Sequence, residues 1–402
     1  MSANESIFEG VTVVDLSTFV TGGFCSLMLA NQGADVIKIE RPGYGDDIRH
    51  SGPPFVDGES PYYWTVNYGK RSVTLDLKAD AGREALYAIC EEADVFLQNF
   101  RPGTAERLGV DDGSIREHAP DVVYCAISAF GQTGPWRDRP GYDLMIQGMS
   151  GIMSVTGETD GDPVKVGLPA TDLITAMWAA FGISSALYRR ERTGEGETID
   201  LGMLESVLPW LTKQAGKVFA GETPGPMGTK DPVLAPYQTF ETADGYLNVA
   251  ALNQKLWRAL CEAIDREDLL DDGRFETNAD RVDNMAALEA ELEATFRERN
   301  TDEWVGILLE DAGVPAGPVL PVEEAIYNRQ TEARGATSTI AREDGDPIPV
   351  IDHPLHFAGV ESGFDAAPPR LGEHTRAVLR EAGLDEAAIA ELAERGAFGG
   401  DS

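Results

Sequence analysis

Lysine is scarce in this sequence. Only eight occur, at 38, 70, 78, 165, 213, 217, 230 and 255, and with arginine they make 33 cations against 68 Asp and Glu, a net charge of -35 over 402 residues. A surface this acidic repels nucleic-acid phosphates and anionic lipid, and no basic stretch offsets it, so neither nucleic acid nor membrane is an expected partner. Carboxylate excess with little lysine is a halophile-like composition, because at molar salt the screening length falls to about 3 Å and self-repulsion is suppressed. A cationic partner is the alternative reading of the same charge. Cysteine is sparse too: Cys25, Cys90, Cys125 and Cys261 lie far apart with no CxxC pair. That excludes a disulfide frame and argues against a zinc site. No uninterrupted apolar run reaches the roughly 18 residues of a membrane span. The opening MSANESIFEG lacks a basic patch followed by an apolar stretch, so a cytoplasmic location is expected.

Familiar catalytic signatures are missing as well. There is no GxSxG elbow and no P-loop, so serine hydrolysis and Walker-type ATP chemistry have no support. His353 and His356 flank a Pro-Leu pair, a spacing that suits no metal pair on a helix, and no metal is expected.

What is present is an alternation of short apolar runs with amphipathic segments. Val11–Asp15, Asp35–Glu40, Ser72–Leu77, Asp94–Phe100 and Val122–Ser128 read as strands, with helices at 24–33 and 81–93 between them. This is the pattern of a parallel α/β sheet. Asp172–Arg192 reads as one long helix and Leu201–Ala220 as another. A Gly/Pro stretch at 221–232 marks a boundary. Beyond it Tyr237–Ala251 reads as two strands around a turn, followed by helices at 254–264, 285–299 and 301–312. The expected organisation is a large α/β domain over 1–205 completed by 340–402. A linker with a Gly-rich loop follows at 206–232, then a small α+β domain at 233–320 and a return linker at 321–339.

Three features could carry chemistry. Thr21-Gly22-Gly23 reads as a turn opening the first helix; it lacks GxGxxG, so close strand–helix passage suits it better than dinucleotide binding. Asn99-Phe100-Arg101-Pro102-Gly103 follows a strand, at the edge where open α/β sheets bind ligands, and is either a corner or a seat for an aromatic base and phosphates. Asp172 stands at the start of the long helix. It reads either as the N-cap or as a carboxylate nucleophile, since both roles want an anion at that place. The glycines of 221–228 read as a linker or as a flap over a site.

Taken together these segments resemble the class III CoA-transferases, the family of formyl-CoA:oxalate and carnitine CoA-transferases, related to the α-methylacyl-CoA racemases. The matching stretches are 33–43 (GADVIKIERPG), Asn67 with Lys70-Arg71-Ser72, Leu75-Asp76-Leu77-Lys78, 99–103 (NFRPG) with Arg107-Leu108-Gly109, 128–135 (SAFGQTGP) and Pro140-Gly141-Tyr142-Asp143. The resemblance implies a Rossmann-like large domain, a smaller α+β domain and an interlocked, ring-shaped homodimer. It implies that Asp172 is the nucleophile and that coenzyme A, as acyl-CoA substrate, contacts Arg41, Leu75, Lys78, Asn99, Phe100, Arg107 and Arg139. Val20, Tyr142, Asp143, Gly225 and Gly228 would border the acyl group, the last two as a flap. No permanently bound cofactor, metal or ATP is implied. The implied reaction moves CoA from an acyl-CoA, with succinyl-CoA a reasonable donor, to a small acid such as the dicarboxylate mesaconate through an aspartyl-CoA thioester. An acyl-CoA racemase is the runner-up. The racemases place a histidine where Tyr142 stands, and tyrosine is no near-neutral base. A non-catalytic CoA-binding protein, with Asp172 as a cap only, is the third reading.

Overall fold

A computed structural model describes residues 6–342, 345–360 and 366–399. The strand-forming runs of the first part assemble into one six-stranded, all-parallel sheet in the order β3-β2-β1-β4-β5-β6. Its strands are β1 (Thr12–Asp15), β2 (Asp35–Glu40), β3 (Arg71–Thr74), β4 (Val95–Gln98), β5 (Val123–Ser128) and β6 (Thr198–Gly202). Successive side chains of a strand point to opposite faces, and both faces are covered. Val14, Ile37, Val73 and Phe96 pack on one side with α2 (Asp80–Cys90) and the C-terminal helices Thr375–Glu381 and Glu386–Glu394. Val13, Val36, Val95 and Leu97 pack on the other with α1 (Phe19–Ala30) and α4 (Ala170–Thr193), while α3 (Asp143–Met149) adds Ile146.

The order reverses between β1 and β4, the switch point where doubly wound sheets open a crevice. Asn99, just past β4, closes that point by gripping the chain just past β1. Its Nδ2 donates to the Thr18 carbonyl at 2.8 Å and its Oδ1 accepts from the Thr18 amide at 2.9 Å.

Two sequence expectations are corrected. Thr21, Gly22 and Gly23 lie inside α1, which already begins at Phe19. Gly22 is there for close approach: a Cβ on it would stand 2.1 Å from Ser17 Cβ. The stretch 201–220 is not one helix. It starts with the end of edge strand β6 and continues through short helical pieces at Met203–Val207, Leu208–Leu211 and Thr212–Phe219. One helix, α4, is long and apolar enough to cross a membrane by length and composition, with half of that window buried in the structure, while Asp172 and Arg189 bound its uncharged run.

By contact density the chain forms two units, 1–152 with 165–215 and 330–402, and 153–164 with 216–329. The second unit holds an antiparallel sheet of Tyr237–Glu241, Tyr246–Ala250 and Ala316–Pro318, whose core includes Leu247, Trp257, Leu260, Phe275, Leu292 and Phe296.

Candidate active site

Two cavities open at the carboxyl ends of the strands of the first unit. The larger, about 830 Å³, is walled by the loop after β2 (Arg41 to Asp47), the segment Leu75 to Lys78 after β3, and Phe100, Leu108 and Phe398. The smaller, about 480 Å³, contains Phe19, Thr21, Asn99, Arg101, Arg139, Tyr142, Asp143, Lys165, Asp172 and Met203. Thr18, Asp47 and Phe100 belong to both walls, so the cavities adjoin.

Asp172 sits in the first turn of α4 but does not cap it. Pro169 holds the cap position without a side-chain bond, and Asp143 of α3 supplies the acceptor instead. Its Oδ1 takes the Thr171 amide at 2.9 Å and the Thr171 hydroxyl at 2.8 Å. Relieved of capping, the Asp172 carboxylate keeps one hydrogen bond among the described residues, from the Thr21 hydroxyl to its Oδ1 at 2.6 Å. Burial pushes its carboxyl up to about 6; the Thr21 bond pulls it down and the neighbouring Asp143 charge adds to the push. Burial raises the Tyr62 phenol, and the charges of Asp172 and Asp143 add to the rise.

The pocket floor is fixed by charges that never reach solvent. Lys38 Nζ bonds the Ser17 carbonyl at 2.9 Å and Asp46 Oδ2 at 2.8 Å, with both side chains buried. Asp46 Oδ1 accepts the Phe19 amide at 3.0 Å. Phe19 itself takes φ 60°, a left-handed value that costs a non-glycine residue roughly 1–2 kcal/mol. The loop between β1 and α1 is thus held in one shape from beneath. Phe19 meets the ring of Tyr142 edge-on, centroids 6.1 Å apart.

Of the residues singled out from sequence, Arg41, Leu75, Lys78 and Phe100 line the larger cavity, and Asn99, Phe100, Arg139, Tyr142, Asp143 and Asp172 the smaller. Arg41 is paired to Asp47 at 3.0 Å. Arg139 lies over the Trp136 ring, 4.8 Å from its centroid. Arg107 lines neither cavity and donates to Thr104 Oγ1 at 2.7 Å, while its neighbour Leu108 reaches the larger one. Val20 lines neither and is buried in a cluster with Tyr63, Trp64 and Ile340. Gly225 and Gly228 belong to the second unit, where Gly228, at φ +62°, donates to the Gly157 carbonyl at 2.8 Å.

Sequence reasoning passed over Thr21 as a partner of Asp172, and also Tyr62 and Lys165. The sequence signals only Thr21, through the glycine pair that follows it. Among the described residues no group of three His, Cys, Asp or Glu could hold a metal ion. The arrangement offers a partly buried carboxylate, ionised at neutral pH, facing a cavity that adjoins a cleft with three aromatics and two cations on its wall.

Comparison with known proteins gives consistent results. A family model described as CoA-transferase family III matches residues 8–375. The chain is 37% identical over 386 residues to mouse succinyl-CoA:glutarate CoA-transferase, covering 96% of this chain and 88% of that one. It is 36% identical to the succinyl-CoA:mesaconate CoA-transferase of Haloarcula marismortui, covering 94% and 96%. The crystal structure of a CAIB/BAIF family protein from Brucella suis superimposes with a TM-score of 0.85 at 37% identity, over 94% of this chain and 100% of that one.

Proposed function

The chain belongs to CoA-transferase family III and transfers CoA between acyl-CoA and carboxylic acids; from this we propose that the Asp172 carboxylate carries the transfer covalently. The observation that supports it most is the position of that carboxylate in a cavity of about 480 Å³ adjoining the roomier cleft at Thr18 and Phe100. A CoA tail in the cleft, with Lys78 and Arg41 toward its phosphates and Phe100 and Leu75 against its base, delivers the thioester to the smaller cavity.

An Asp172 oxygen adds to the thioester carbonyl, the C–S bond breaks, and CoA leaves as thiolate from a mixed anhydride. The thiolate then attacks the Asp172 carbonyl carbon. The bond from that carbon to the donor acid's oxygen breaks, releasing the acid as carboxylate and leaving an aspartyl-CoA thioester. An acceptor carboxylate repeats the steps in reverse order and departs as its CoA ester. Thioester energy is conserved throughout. A carboxyl held at about 6 is ionised at neutral pH and more basic than an ordinary one, hence a better nucleophile. Among the described residues no histidine lines this cavity, which favours transfer over racemisation at the α-carbon.

The acids are small dicarboxylates, with succinyl-CoA as donor and mesaconate among the acceptors; the names of the relatives support this. The active form is an interlocked homodimer in the cytoplasm of a salt-adapted cell. Support comes from the exposed Met177, Phe181 and Tyr188 along α4, from four free, buried cysteines and from the charge of -35. Incubation with acyl-CoA and hydroxylamine, followed by peptide mass spectrometry, tests the mechanism. A hydroxamate on Asp172 supports it; adducts elsewhere, or full activity in Asp172→Ala, reject it.

A further inference from the structure

The smaller cavity holds three cations, Arg101, Arg139 and Lys165, none of which makes an ion pair among the described residues. All three are solvent-exposed, so water satisfies them, yet together they give the cavity that holds Asp143 and Asp172 a cationic wall able to receive a ligand anion. Arg101 also borders a separate depression, with Gln98, Phe100 and Asp111. Arg139 is committed to the Trp136 face. Lys165 is different because its backbone is tied to the catalytic helix.

That tie runs through Gln147, a wholly buried side chain of α3. Its Oε1 accepts the Val166 amide at 2.8 Å and its Nε2 donates to Asp143 Oδ2 at 2.7 Å. Asp143 in turn takes the Thr171 amide, one residue from Asp172. The strand of chain that presents Lys165 and the turn that presents Asp172 are therefore fixed to the same two side chains. A diacid whose one carboxylate exchanges at Asp172 must place its second in a cavity that already contains the Asp143 and Asp172 carboxylates. Such a dianion enters only against a counter-charge.

We propose that Lys165 pairs with the distal, non-reacting carboxylate of the acid and so selects dicarboxylates over monocarboxylates, an assignment that rests on the transferase reading above. The test compares glutarate with pentanoate as acceptors, at saturating succinyl-CoA, in wild type, Lys165→Ala and Lys165→Arg. In wild type kcat/KM favours glutarate. In Lys165→Ala it falls about 10- to 100-fold for glutarate and little for pentanoate, and Lys165→Arg restores most of the preference. An equal fall for both acids, or an unchanged ratio, overturns the assignment while leaving the transferase reading intact. Wild-type protein that moves CoA to neither acid, nor to any other, overturns the transferase reading and this assignment with it.

Discussion

The hydroxyl of Thr21 stands 2.6 Å from Asp172 Oδ1 and is the one side-chain donor that this carboxylate meets among the described residues. Burial pushes Asp172 up to about 6 with Thr21 pulling against it. Transfer needs the ionised form, so the wild-type rate rises with pH through about 6. Thr21→Val removes the downward pull. The acid limb of kcat/KM then moves to higher pH, lowering the rate about threefold to tenfold at pH 6 while leaving pH 8 nearly unchanged.

Asp143 acts on the same carboxylate with the opposite sign. Asp143→Ala removes a like charge, so the acid limb moves to lower pH. It also strips the start of α4 of its acceptor, which costs about 1–2 kcal/mol of stability in denaturant melts.

The raised pKa makes Asp172 a burden on the fold. A carboxyl near 6 in the native state and 3.8 in the unfolded one binds more protons when folded, so stability is lost as pH climbs from about 4 to 6. Asp172→Asn escapes that loss. It should abolish transfer yet raise stability by about 3 kcal/mol at pH 7–8. The gain should vanish below pH 4, as thermal melts across pH will show.

Lys78 lines the larger cavity and Arg107 does not. Lys78→Ala should raise KM for acyl-CoA about fivefold to tenfold with kcat nearly unchanged, the mark of lost uniform binding. Arg107→Ala should change it less than about twofold. Initial rates over a range of acyl-CoA concentrations separate the two.

Lys38→Met leaves Asp46 buried without its ammonium partner. A loss of about 3–5 kcal/mol is expected in urea unfolding, well beyond the cost of an exposed lysine.

How far the sequence could be read depended on how local each cause is. β2 was legible to the residue, 35–40, because β-branched Val36, Ile37 and Ile39 stand between Gly33 on one side and Pro42-Gly43 on the other. β6 was not: it is the half-exposed edge strand, and its TIDLG merges into the helical residues that follow. The glycine pair read as a turn because glycine weakens helices, whereas Gly22 is required by the passage of Ser17. Asp172 was found through resemblance. Its release from capping was not visible, because the residue that takes over the cap is Asp143, 28 positions before Thr171. The anchor beside Lys165 is remote too, joining the Val166 amide to a buried glutamine 19 residues before it.

The loop that borders the smaller cavity is pinned by Lys38 and Asp46, neither of which lies among the side chains unpaired in that cavity. Foundation and rim are thereby separable. Natural drift at Arg139, Tyr142 or Lys165 can retune which acid is welcomed without disturbing the platform on which the aspartate stands, so one ancestral scaffold can give rise to enzymes for many different metabolic acids.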